Sequence, residues 1–242
     1  MGNCNALELL RAAAPTVSVG VVTANLLSLG TEIKLLEQTG TKLAHVDVMD
    51  GCFCPMMTVG PPFIKAIKTS LLKDVHLMIA EPLEKVAEYV AVGADIVTVH
   101  VEACSNVHRV LQKLGSLTNA NDPERGVVRG VALNPGTPLE ALEPLLDELE
   151  FISLLAVNPG WGGQKYIPST TARIARVKRM IAESGKNIIL CADGGITKAN
   201  ITEIAATGVD VIVAGSAVFD GKTPEANARF MLDAVAAVSR KQ

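Results

Sequence analysis

Apolar residues along this chain gather into short runs bounded by turn residues, and these alternate with longer stretches of helical spacing. The short runs lie near 16–22, 43–49, 73–78, 95–100, 128–133, 150–157, 187–192 and 209–214. Helical patterns fill the gaps near 29–39, 61–70, 82–92, 104–117, 138–147, 169–184, 197–207 and 223–239. Strict alternation of eight strands with eight helices predicts a parallel sheet with crossover helices, closed into a barrel rather than left open. The fold class is therefore α/β, a single (β/α)8 TIM barrel over residues 1–242 with residues 1–15 as an N-terminal extension.

Turn chemistry supports the same division. Thr137-Pro138-Leu139-Glu140 combines an N-cap, a first-turn proline and a capping-box glutamate. Gly40, Gly93 and Gly208 each follow a helical pattern and precede a strand, as C-terminal caps do. The phrases Gly93-Ala94-Asp95-Ile96-Val97 and Gly208-Val209-Asp210-Val211-Ile212 echo one another as repeated units would. Residues 118–127 read as an exposed loop.

Composition narrows the function. A chain of 242 residues, 49% hydrophobic, suits one barrel, whose usual size is about 250 residues. A net charge of −3, 3% aromatics and no long Lys/Arg cluster argue against nucleic acid or an anionic membrane as partner. Residues 6–14 are too short, and too interrupted by Glu8 and Arg11, for a signal or membrane segment. Gly2 with Ala6 misses the Ser/Thr of a myristoylation site. Five cysteines (Cys4, Cys52, Cys54, Cys104, Cys191) lack zinc-finger spacing and suit reduced thiols, so a cytoplasmic protein is expected.

The candidate chemistry sits at strand ends. In His45-Val46-Asp47-Val48-Met49-Asp50-Gly51, alternation puts His45, Asp47 and Met49 on one face. Asp74-Val75-His76-Leu77-Met78 repeats the pattern with His76 and Met78, and Cys191-Ala192-Asp193-Gly194-Gly195 ends a third run with a carboxylate. Two imidazoles and two carboxylates (His45, Asp47, His76, Asp193) suit one divalent ion such as Zn, Fe, Mn or Co. Glycines after the sixth, seventh and eighth strands (Gly160, Gly162, Gly163, Gly194, Gly195, Gly215, beside Trp161 and Ser216) let backbone N–H groups and short helix starts meet a phosphate. Lys65, Lys68 and Lys73 read as solvated surface, His108 as structural, and His100 stays open.

The phrases HVDVMDG (45–51), DVHLMI (74–79), VTVHVEA (97–103), VALNPGTPLEALE (131–143), VNPGWGGQKYIPS (157–169), ADGGI (192–196) and AGSAVF (214–219) resemble the ribulose-phosphate 3-epimerase family in order, from Val17 to Phe219. The resemblance implies a metal-dependent enzyme that inverts C3 of a ketose phosphate, foremost D-ribulose 5-phosphate to D-xylulose 5-phosphate. It assigns His45, Asp47, His76 and Asp193 to the metal and Asp47 and Asp193 to proton transfer. The glycine loops with Trp161, Ser216 and His76 go to the substrate and its phosphate, and Met49 and Met78 to an apolar wall. A homo-oligomer is the expected assembly. Alternatives are the same chemistry on allulose 6-phosphate and a non-catalytic sugar-phosphate-binding barrel. Gly20 stands where the family usually has a serine, with Thr23 further along; Met56 stands for an asparagine and Leu155 for a third wall methionine. Cys191-Ala192 precedes Asp193 where a Glu-Val pair is usual. Such changes bear on which sugar is accepted.

Overall fold

A computed structural model of the chain describes residues 5–121 and 126–240. Eight parallel strands close into a barrel in chain order: β1 (Thr16–Gly20), β2 (Leu43–Met49), β3 (Leu72–Met78), β4 (Ile96–His100), β5 (Val128–Leu133), β6 (Phe151–Leu155), β7 (Ile189–Asp193) and β8 (Val211–Ala214). Strand β8 pairs with β1, so no edge is left open. Each predicted run forms its strand.

Helices cover the outside of the barrel: α2 (Leu29–Gln38), α3 (Pro61–Ala66), α4 (Val86–Ala91), α5 (Val107–Gly115), α6 (Ser169–Ser184), α7 (Ile201–Ala205) and α8 (Pro224–Ser239). The crossover between β5 and β6 departs from expectation, since Leu139–Leu145 is a 3₁₀-helix. Pro144 inside it lacks an N–H and cannot close an α-helical turn. Thr137 does not cap this helix either; its hydroxyl donates to Glu102 instead. Gly40, Gly93 and Gly208 all take positive φ, as the predicted caps require.

Two cores share the strands. The outer one lies between barrel and helices, and is lined by residues such as Val46, Val48, Val75 and Leu77. The inner one fills the base of the barrel with Leu43, Leu72, Ile96, Phe151 and Ile189, and Ala6, Leu7 and Leu10 join it. These three belong to helix α1 (Ala6–Ala13), which Asn5 caps by accepting from the Glu8 N–H at 3.0 Å. Residues 6–13 thus pack against the base of the barrel. Their apolar face at i, i+1 and i+4 was the missed signal.

Two smaller expectations also change. Asn119, expected in an exposed loop, is buried, with its amide donating to the Ala94 carbonyl. Lys73, expected on the surface, is the second residue of β3 and is buried, with Nζ donating to the Ile64 carbonyl at 3.1 Å. The expectations for Gly2, Cys4 and residues 122–125 lie outside the described residues. Among the described residues, no helix is long and apolar enough to cross a membrane.

Candidate active site

Strands β2 and β3 pair along their whole length, in a register that sets His45 beside Asp74, Asp47 beside His76, and Met49 beside Met78. Inward-facing residues recur every second position, so these pairs form three successive levels rising toward the C-terminal mouth. Strand β7 brings Asp193 to the middle level from the far side of β1 and β8. One ligand atom from each of His45, Asp47, His76 and Asp193 lies within 4.8 Å of the others.

Within this cluster His45 Nε2 is 3.1 Å from an Asp47 oxygen and 3.8 Å from one of Asp193. His76 Nδ1 is 3.3 Å from Asp47 and 3.4 Å from Asp193. The histidine side chains are 4% and 2% exposed, but those of Asp47 and Asp193 are 25% and 14% exposed. The carboxylates thus reach the open cleft, with His45 beneath its floor.

Charge balance follows from this packing. Burial disfavours an imidazolium at His45, but the Asp74 and Asp47 carboxylates more than offset that and hold its pKa well above the usual value. His76 is likewise buried, and its contacts with Asp193 and Asp47 raise it to about 9. Burial works against the Asp47 carboxylate, and the neighbouring His45 and His76 charges outweigh it, holding the group well below the usual range. His76 Nδ1, fully buried, has no well-aligned hydrogen-bond partner. That orphaned nitrogen, and a donor set of two imidazoles and two carboxylates, fit an ion such as Zn²⁺, Fe²⁺, Mn²⁺ or Co²⁺.

Above the cluster opens a cleft of about 990 Å³, bounded by the loops after β1, β2, β6, β7 and β8. Asp47, His76, Asp193, Met49, Met78 and every predicted phosphate-loop residue from Gly160 to Ser216 line it. Gly194 and Gly195 take φ of +101° and +70°, and a side chain on either would strike Val157 or the Tyr166 backbone. Only glycine fits that close approach. Gln164 braces the β6 loop, accepting from the Asn158 N–H and donating to the Trp161 carbonyl. No helix begins at Ser216; residues 216–218 form a turn.

The loop after β2 is organised by Asp50, whose carboxylate accepts N–H groups of Cys52, Phe53 and Ala80. Gly20, Met56 and Leu155, the departures from the family pattern, all line the cleft. Thr23 turns its hydroxyl to the Gly20 carbonyl at 2.8 Å. Sequence reasoning gave no role to Asp74 or Glu102 and left His100 open. Asp74 Oδ2 accepts from His45 Nδ1 and from the Ser18 hydroxyl, both at 2.8 Å. His100 lies 2.9 Å from His76 and 3.0 Å from Glu102. The usable signal was spacing by two: Asp74 precedes His76, and Glu102 follows His100.

The pattern of the ribulose-phosphate 3-epimerase family matches residues 16–219. The chain is 43% identical over 210 residues to a chloroplastic ribulose-5-phosphate-3-epimerase of Arabidopsis thaliana, covering 85% of this chain and 72% of that one. It is 42% identical over 206 residues to a ribulose-phosphate 3-epimerase of Bacillus subtilis, covering 84% of this chain and 91% of that one. Among solved structures it is similar to KGPDC from Streptococcus mutans, with 16% identity, a TM-score of 0.67, and 93% and 99% of the two chains covered. A 3-hexulose-6-phosphate synthase from Salmonella typhimurium aligns with 17% identity and the same TM-score of 0.67, over 92% and 99% of the chains. At such identities these structures speak to the barrel alone.

Proposed function

This chain belongs to the ribulose-phosphate 3-epimerase family, and on that footing we propose that it inverts C3 of a ketose phosphate, D-ribulose 5-phosphate to D-xylulose 5-phosphate. One observation carries the reading: Asp47 and Asp193, from strands on different sides of the barrel, converge beneath the glycine loops. Inverting a carbon next to a carbonyl needs a proton removed from one face and another delivered to the opposite face. Two carboxylates that share one cleft supply that pair.

In this reading the loops holding Gly160 to Gly163, Gly194, Gly195, Gly215 and Ser216 anchor the phosphate through backbone N–H groups. The anchored sugar then reaches down toward the two aspartates, one serving as base and the other as acid. Met49, Met78 and Leu155 form the apolar wall that keeps water from the enediolate between the two proton transfers. His45, Asp47, His76 and Asp193 would hold one divalent ion, which when bound supplies Lewis acidity toward the substrate's carbonyl. A second substrate, a longer ketose phosphate such as allulose 6-phosphate, draws support from Gly20 and Met56. Neither brings a hydroxyl or amide into the cleft.

Proton NMR of D-ribulose 5-phosphate with the metal-loaded protein in D₂O tests the reading. Deuterium at C3 together with xylulose 5-phosphate is the expected result. Exchange only with allulose 6-phosphate would move the assignment to the longer sugar. Exchange with neither would overturn the epimerase reading.

A further inference from the structure

The two histidines of the cluster face it through different nitrogens. His45 turns Nε2 toward Asp47 and Asp193, while His76 turns Nδ1 toward the same carboxylates. A neutral imidazole carries one proton, so each ring offers a lone pair at the facing atom only when its proton sits on the other nitrogen. What lies behind each ring therefore decides whether it is ready to bind an ion.

Behind His45 the answer is direct. Its Nδ1 is 2.8 Å from Asp74 Oδ2, and a carboxylate oxygen only accepts, so the proton stays on Nδ1 and Nε2 is free. Behind His76 there is no carboxylate. Its Nε2 meets His100 Nε2 at 2.9 Å, and either ring could be the donor. The ring planes are 19° apart with centroids separated by 5.0 Å, which places the two nitrogens edge to edge and close to both ring planes. Exactly one proton fits between them, since two N–H groups would collide and two lone pairs would repel.

Glu102 breaks the tie. His100 Nδ1 lies 3.0 Å from Glu102 Oε2, so that nitrogen carries the proton. The ring is fully buried, and Nδ1 already holds the one proton that a neutral imidazole carries. His100 Nε2 is then the acceptor and His76 Nε2 the donor. The carboxylate cannot swing away, because Oε1 accepts the Asn134 N–H at 2.8 Å and the Thr137 hydroxyl. Arg173 of α6 ties the same loop by donating to the carbonyls of Thr137 and Asn134. Phe53 packs on His100 with centroids 4.6 Å apart.

We propose that His100 and Glu102 are positioning residues: they lock His76 as the Nε2–H tautomer, so that its Nδ1 lone pair is presented to the metal, in mirror image to the Asp74–His45 pair. The inference rests on the metal reading above and adds how one ligand is kept ready. Groups behind metal-bound histidines typically contribute 10–100-fold in affinity.

Glu102→Gln tests this without changing shape. The amide has a single oxygen, which cannot serve both His100 Nδ1–H and the Asn134 and Thr137 donors. With its NH₂ toward the ring, His100 must accept at Nδ1 and donate from Nε2, and His76 then takes its proton on Nδ1. His100→Phe removes the acceptor altogether. Zn²⁺ affinity, read by competition with a chromophoric chelator, is expected to fall about 10–100-fold in both variants. In the Zn²⁺-loaded wild type, ¹⁵N-histidine NMR is expected to show a proton on Nε2 of His76 and on Nδ1 of His45 and His100. Affinity within twofold of wild type in folded variants, or His76 bound to zinc through Nε2, overturns the relay while leaving the metal reading intact. If a variant does not fold, the wild-type tautomers alone decide. A wild type that binds neither Zn²⁺ nor Co²⁺ overturns the metal reading itself.

Discussion

At the base of the barrel, Leu7 and Leu10 of α1 close the interior against Ile96, Phe151 and Ile189. At the mouth, strands of the same sheet end in two histidines and two aspartates within 4.8 Å of one another. The base is mainly a shape-filling problem; the mouth is a problem of partners for buried polar atoms. The two ends depend on each other. Asp74 and His100 can hold their neighbours in fixed orientations only because the packed layer beneath keeps the strands in register.

The largest effect expected is at the mouth. Asp193→Asn removes one of the two proposed proton-transfer groups while keeping side-chain volume, and turnover with ribulose 5-phosphate should fall about 10³-fold. Its melting temperature should stay near that of the wild type. Wild-type turnover in this variant would mean that a single group, or none of these, moves the proton. Next comes the base. Leu10→Ala opens a hole under a side chain that is fully buried, and thermal unfolding should show a loss of about 2–4 kcal/mol. Its kcat, measured well below the melting point, should be unchanged. Should kcat fall along with stability, the two ends would be coupled dynamically rather than divided in their tasks.

How legible each end was follows from the same division. The motif at 45–51 puts two candidate ligands, His45 and Asp47, on a period of two, and those at 74–79 and 192–196 end their strands in one each, signals that survive an error in strand boundaries. The barrel was readable for a similar reason, because eight runs in alternation leave few topologies. What escaped depended on contacts between distant segments. Nothing local to Ala6–Ala13 says that its apolar face fills a barrel, and nothing near His100 says that its partner is His76, 24 residues away. The 3₁₀-helix at Leu139–Leu145 escaped because the cap signal at Thr137, whose hydroxyl turns to Glu102, was weighed above Pro144.

Smaller than the effect at either end is that of the loop after β2. Burial works against the Asp50 carboxylate, but N–H groups of Phe53, Ala80 and Cys52 outweigh it and hold its pKa below the unfolded value of 3.8. The stabilisation is thus fully present above that value and is lost as pH falls through the lower folded one. Asp50→Ala should cost about 1 kcal/mol at neutral pH and speed amide exchange at Cys52 and Phe53. In the wild type the same exchange should accelerate only on strong acidification. Acceleration already at pH 6 would assign the loop's order to some other group.

The smallest effect tests whether a buried charge marks function wherever it occurs. Lys73 resembles the mouth residues, being buried, with a pKa that burial pushes down despite Asp95 nearby. At an active site such a lysine would be a candidate nucleophile. Its surroundings say otherwise. It sits at the start of β3, at the opposite end of the strand from Met78, with its ammonium on the Ile64 carbonyl and against the Gly93 turn. Lys73→Met keeps the length of the stem, removes the cost of burying the charge and leaves one carbonyl without its donor. These terms oppose each other, so stability should move by less than about 1 kcal/mol in either direction. Turnover should stay within about twofold, because no catalytic group is in contact with it. A large loss of turnover in a folded Lys73→Met protein would show that the base takes part in the chemistry, and would end the division of labour drawn between the two ends of the barrel.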